Sequence, residues 1–212
     1  MAYTSLIGAK FFMSTGLDAA KTVTSITNAN PPVVNSTAHG YANNDEIVLF
    51  NSWDDLNEVV VRASSVATNT FAIGGGYDTT DTNFFPAASS AGTAQRVSGW
   101  LEIGQVLGVT PSGGEASFEE LKPYDRRTGV KIFTGFSASS LEMTLGWDRA
   151  RADQSALQGA SRSAAKRAFR FTLPGGIFGY AYGTVSASAL PQFETVLKQR
   201  VVLTMAGIFT SF

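Results

Sequence analysis

Few side chains in this sequence are spaced for chemistry. The single histidine, His39, stands in Ala38-His39-Gly40-Tyr41. A catalytic imidazole needs a nucleophile or carboxylate brought to it by the fold. One histidine cannot make a multi-histidine zinc site, so beside a glycine it reads as part of a structural turn. Carboxylates occur as adjacent pairs, Asp54-Asp55 and Glu119-Glu120. Neighbours on a strand point to opposite faces, so neither pair makes a shared acid–base dyad; solvent or an interface is their expected environment. Gly74-Gly75-Gly76 lacks the Lys-Ser/Thr and the following helix of a phosphate loop. There is no Gly-x-Ser-x-Gly elbow and no cysteine, which removes thiol catalysis, disulfides and thiolate metal sites. No catalytic, metal-binding or cofactor-binding residue is assigned, and a protein that is not an enzyme is expected.

Composition points the same way. Of 212 residues, 44% are apolar and only 16% charged, with 21 glycines and 15 phenylalanines. That profile suits short strands, tight turns and surface that ends against other protein. A net charge of −1 gives no electrostatic hold on nucleic acid, which needs several cations aimed at phosphates. The first ten residues lack the basic and apolar regions of a signal peptide. No apolar run is long enough to span a bilayer. The expectation is a soluble cytoplasmic protein without a membrane partner.

The elements that would carry an interface are strands. Residues 22–97 hold seven acidic and two basic side chains, a net −5, against +4 for the remainder. The asymmetry predicts two modules: a small acidic β-domain over 22–97, inserted in a larger β-domain formed by 1–21 and 98–212. Short strands are predicted at 23–27, 33–37, 46–50, 59–67 and 70–73, separated by turn sequences. In the larger domain, period-two alternation marks 100–109, 141–148, 169–173, 178–183 and 201–206. The second face of these strands is rich in Gly, Ala, Thr and Val. It either meets another surface or lines a passage, or both faces are buried in a sandwich. One helix is predicted over 149–160, with Arg162, Lys166 and Arg167 beyond its C-terminal end. Residues 110–129 read as a long loop with a task. Trp147 belongs to the core set of its strand, Trp100 opens another strand, and Trp53 is the tryptophan expected at the surface.

Two stretches carry a resemblance. Ile26-Thr27-Asn28-Ala29-Asn30-Pro31-Pro32-Val33-Val34, Ala38-His39-Gly40, Asn44-Asp45-Glu46-Ile47, Leu56-Asn57 and Asn69-Thr70-Phe71 resemble a small β-domain of phage virion proteins, named for its similarity to part of ubiquitin-activating enzymes. Asn44 stands where that pattern often has Gly. The order of a strand at 141–147, a helix containing Ala152-Asp153-Gln154-Ser155-Ala156-Leu157, a strand at 169–173 before Pro174-Gly175-Gly176, and closing strands at 178–186 and 198–209 resembles the tail tube proteins of long-tailed, non-contractile phages.

The resemblance implies a mainly β fold: a tail-tube-type β-sandwich or barrel with one flanking α-helix, plus the inserted all-β domain. It implies a virion subunit that forms hexameric rings, stacked into a conduit for the genome. Its partners would be further copies of itself and other tail proteins (tape measure, terminator, baseplate), with DNA passing through and no sequence-specific binding. A ring of like subunits uses a head-to-tail interface with two different patches. The candidate interface residues are Leu6, Phe11 and Phe12, on an open strand edge spanning residues 6–13, and Glu119, Glu120, Tyr124, Arg126 and Arg127, in the long loop that would join one ring to the next. A tail terminator or baseplate adaptor, or a carbohydrate-binding adhesion module centred on the acidic domain, are the alternatives.

Overall fold

A computed structural model describes residues 8–87, 90–193 and 195–212. Its strands, in chain order, are β1 (Lys10–Leu17), β2 (Lys21–Val23), β3 (Ser25–Ile26), β4 (Val33–Asn35), β5 (Glu46–Asn51), β6 (Val59–Ser64) and β7 (Thr70–Ile73). There follow β8 (Gly92–Ile103), β9 (Val106–Ser112), β10 (Ala116–Leu121), β11 (Val130–Phe136) and β12 (Ser140–Gly146). The helix α1 (Ala152–Ser163) precedes β13 (Lys166–Leu173), β14 (Ile177–Ala187), β15 (Lys198–Met205) and β16 (Thr210–Ser211). The protein is mainly β with one α-helix among the described residues, as the sequence predicts.

Hydrogen bonding joins the strands in the order β3-β4-β7-β6-β5-β8-β1-β13-β14-β15-β12-β9, with β16 on β14 and β2 on β8. From β1 to β9 is five strand spacings, about 24 Å if flat. Yet Phe11 of β1 and Val109 of β9 line the same cavity. This part of the sheet is therefore rolled into a near-barrel that is open between β9 and residues 97–103 of β8. Gly183 lets β14 and β15 approach closely, since a Cβ there would run into the Thr204 carbonyl.

Three apolar clusters hold the molecule. The main one fills the rolled sheet with Met143, Leu145, Phe169, Phe171, Val201 and Leu203, and α1 adds Leu157 and Ala160. A second lies within the acidic half and includes Val34, Ile47, Leu49, Trp53, Val61 and Phe71. The third joins the two, packing Val48 and Val60 against Ala168, Tyr180 and Tyr182. Alternation on β13 and β14 thus feeds two cores: Phe169 and Phe171 point one way, Ala168 and Tyr180 the other. As far as Tyr182, both faces of this pair are covered by the chain itself.

Polar bonds reinforce the third cluster. The Glu46 carboxylate accepts hydrogen bonds from Trp100 Nε1 (2.5 Å), Tyr180 Oη (2.7 Å) and Arg170 Nη1 (3.1 Å). The Arg170 guanidinium lies over the rings of Phe12 and Trp100, 4.5 and 4.8 Å from their centroids. Near the C-terminal end Thr210 Oγ1 donates to the Val60 carbonyl at 2.7 Å, and Phe212 packs on both adjoining clusters.

Several local expectations are corrected. Trp53 is not at the surface: it is 1% exposed, stacks edge-on against Phe85 and donates Nε1–H to the Pro86 carbonyl. Trp147 is only half-buried and lies just past β12, outside the three clusters. Trp100 sits near the end of β8 rather than at the start of a strand, and the chain turns at Gly104-Gln105 before β9. The helix begins three residues later than predicted because the Asp148 carboxylate accepts the Ala150 N–H and holds a turn there. It ends at Ala164, whose left-handed conformation (φ +50°) returns its N–H to the Ala160 and Ser161 carbonyls. Asp54-Asp55 lie in a 3₁₀ turn, not on a strand.

Candidate assembly surfaces

Surfaces that bind other copies are found by asking what the fold leaves uncovered. Three such features stand out on the larger part of the molecule, and all three lie at or near β9 and β12.

The first is a four-strand face. Cross-strand register puts Glu142 beside Val202 and Thr110, Thr144 beside Arg200 and Gly108, and Ser140 beside Thr204 and Ser112. Thr184 and Ser186 of β14 continue the row. This is the face of β14, β15, β12 and β9 turned away from the main core. Its side chains are mostly hydroxyls. Arg200 and Glu142 pair on it: Arg200 Nε and Nη2 donate to the two Glu142 oxygens at 2.6 Å each. Those hydrogen bonds hold the Glu142 carboxyl below its usual range and raise the Arg200 guanidinium further. The face is polar, and Lys198, beside Gly146 at its far end, adds a cation beyond this pair.

The second feature is a β-hairpin where a loop is expected. Residues 110–129 instead finish β9, form β10 and make the turn into β11, so β10 and β11 pair as a two-stranded ribbon off the main sheet. Helix-free turn residues at Pro111-Ser112-Gly113-Gly114 hide the strand that follows, and the chain has no core to give β10 a buried face. Gly113 and Gly114 have positive φ, which turns the chain out of β9. Every residue of β10 is exposed, and all of β11 but Gly135. Phe118, Phe133 and Phe136 form a contiguous edge-to-face cluster, with centroids 5.9 and 5.2 Å apart. Glu119 and Glu120 lie on β10, pointing to opposite faces as predicted; Glu120 meets Lys122 at 3.6 Å. Tyr124, Arg126 and Arg127 form the fully exposed tip. Sequence reasoning named the charged and tip residues and missed the three phenylalanines, which stand in no clean period-two pattern.

The third feature is an apolar trough of about 450 Å³. Phe11, Val109, Leu141, Phe171, Leu173, Met205 and Phe209 line it, with Ser112, Gly113, Ser139 and Ser140 at its rim. Several of these side chains also pack on the main core, so the trough floor is core that has been left open.

The remaining candidates fall elsewhere. Leu6 lies outside the described residues. Phe11 and Phe12 are not on an open edge: β1 is bonded to β8 on one side and β13 on the other, so it cannot add to a neighbour's sheet. The open edges belong to β9 and β3. Phe11 instead lines the trough and packs edge-on against Phe171, while Phe12 lies under Arg170. His39 is buried, with Nδ1 accepting the Tyr41 N–H at 3.0 Å and its ring against Phe71. Among the described residues no group of three or more His, Asp or Glu is placed to hold a metal, and no helix is long and apolar enough to cross a membrane.

The family model for phage tail tube proteins matches residues 51–212. The match begins at the end of β5, within the acidic half, and continues through the hairpin, the helix and the closing strands. No curated protein matches the chain. The match covers most of the sequence and, apart from Phe11 in the trough, all three uncovered surfaces, and so the chain belongs to the phage tail tube proteins, as a structural, non-enzymatic component of the virion.

Proposed function

We propose that copies of this protein close into hexameric rings, that the rings stack into a hollow tube, and that the genome passes through it on its way into the host. The observation that carries this reading is the uncovered face of β14, β15, β12 and β9. It bears hydroxyls and one self-neutralising ion pair. A polyanion slides past such a wall; a basic wall would hold it by counterion release. On this reading the face lines the lumen, the hairpin joins one ring to the next, and the chain ends of the tube meet the tape measure, terminator and baseplate proteins. Residues 22–97 form an insertion that decorates the tube exterior.

Cryo-electron microscopy of the purified, concentrated protein tests the reading. Tubes with Thr144, Arg200 and Thr204 toward the axis and the acidic module outside are the expected result. Single closed rings would place the protein at a tail terminus, and a chain that stays monomeric at every concentration would overturn the proposal.

A further inference from the structure

We infer that the apolar trough is the socket for the hairpin of a second copy, with Phe118, Phe133 and Phe136 as the inserted aromatic edge. The inference rests on the tube reading above and names the contact that reading leaves open.

The hairpin cannot stand alone. A two-stranded ribbon is marginal in water, and here its phenylalanines remain 52–73% exposed. The trough has the complementary defect. Its floor is the continuation of the main core, and Phe209 at its side is 51% exposed. The trough lining is aliphatic, aromatic and hydroxyl, without a charge; the ridge is three benzyl groups, and the charges that share its face, Glu120 and Lys131, stand opposite each other across the two strands. A cavity of this volume has the size of a small-ligand pocket, with room for more than one aromatic ring. Buried aromatic anchors of this kind dominate binding energy at interfaces.

The occupant must come from another copy. The hairpin leaves β9 at Ser112-Gly113 and returns to β12 at Ser139-Ser140, and these four residues are the rim of the trough. None of the three hairpin phenylalanines lines it. The ridge occupies the root half of the ribbon, where Ala116 faces Phe136 and Phe118 faces Phe133, yet all three rings stay outside the trough and open to solvent. One molecule thus presents a ridge and a socket at different places. That is the arrangement of a heterologous, head-to-tail contact, which propagates from copy to copy instead of closing on a pair.

The absence of cysteine gives a direct test. Two single variants, F133C and F209C, are mixed, allowed to assemble, and treated with a short bis-maleimide. A cross-linked F133C–F209C dimer is expected on a denaturing gel. The pair F133C and D81C, with the second thiol on the acidic module, should give none. A doubly substituted F133C/F209C chain should link between molecules and not within one. Loss of the F133C–F209C product while tubes still form would overturn the socket and leave the tube reading intact. A wild-type chain that never assembles would overturn the tube reading itself, and the socket with it. Within-chain linking of the double variant would mean that the hairpin folds onto its own trough, and would also overturn the inference.

Discussion

The acidic half and the hairpin are made of the same material and stabilised in opposite ways. Both are short antiparallel strands with turn residues between them. In the acidic half, Ile47, Leu49, Val61 and Phe71 are completely or almost completely buried. Three of its acids find cations on the sheet or beside it: Asp45 with Arg96, Glu46 with Arg170, and Glu58 with Lys166. Asp54, Asp55 and Asp81 have no ion-pair partner among the described residues and form a solvated face. In β10 and β11 the apolar side chains meet only each other, and water. One region finishes its core within the chain; the other leaves its apolar side chains uncovered. A period-two pattern signals a buried face, but it does not say whether the covering surface belongs to the same molecule.

The comparison breaks most visibly at Trp53. Trp53→Ala empties a fully buried site and removes the Nε1–H that donates to the Pro86 carbonyl. It is expected to destabilise the isolated chain by about 4 kcal/mol, read as a lower denaturation midpoint at unchanged m-value. The next largest effect is expected where the acidic half meets the rolled sheet. Glu46→Ala leaves Arg170 half-enclosed and removes the acceptor for Trp100 and Tyr180. Breaking such a buried pair costs about 3 kcal/mol, and Glu46→Gln, which keeps an acceptor, should recover part of it. If E46A unfolds as two separate transitions by calorimetry, the third cluster alone does not couple the two halves. A single transition shows that it does.

How much of this was legible depended on whether a residue's partner lies near it in sequence. The strands β12, β13, β14 and β15 were readable because Met143, Leu145, Phe169, Phe171, Val201 and Leu203 alternate with smaller or polar neighbours. Trp53 was misread because its surroundings, Asn51-Ser52 and Asp54-Asp55, are polar. Its burial comes from Phe85 and Pro86, more than thirty residues away. The edge status of β1 was equally invisible, since it is set by pairing with β8 and β13 from distant parts of the chain. The hairpin phenylalanines were missed for a different reason: without a core to face, strands with apolar side chains separated by Glu, Lys and Thr look like a charged loop.

A smaller effect is expected at the helix, and it depends on pH. Asp153 is nearly buried and accepts hydrogen bonds from the Gly104 N–H (2.8 Å) and from Arg151. Burial pushes its carboxyl up, but the Arg151 contacts and the two backbone N–H bonds outweigh this and hold it below the usual value. A depressed folded value means that its contribution is fully present above the ordinary carboxylate range. It is lost as pH falls through that range toward the folded value. Asp153→Asn should cost about 2 kcal/mol at neutral pH and flatten the acid limb of the stability profile. An acid limb identical to the wild type would show that the turn between β8 and β9 is not pinned by this charge.

The smallest change in folding free energy is expected in the hairpin, together with the largest change in behaviour. The triple variant F118S/F133S/F136S removes the whole exposed ridge, whose rings meet one another. Under conditions that keep the chain monomeric, its unfolding should match the wild type within about 0.5 kcal/mol, as for surface substitutions away from any buried feature. Under assembly conditions the variant should sediment as monomers or single rings while the wild type forms long particles. Amide exchange sharpens the same contrast: β10 and β11 should exchange freely in the monomer and become protected in tubes, whereas β5 and β6 should be protected in both. A hairpin already protected in the monomer would place its stability within the chain, and the difference between the two regions would then be one of degree.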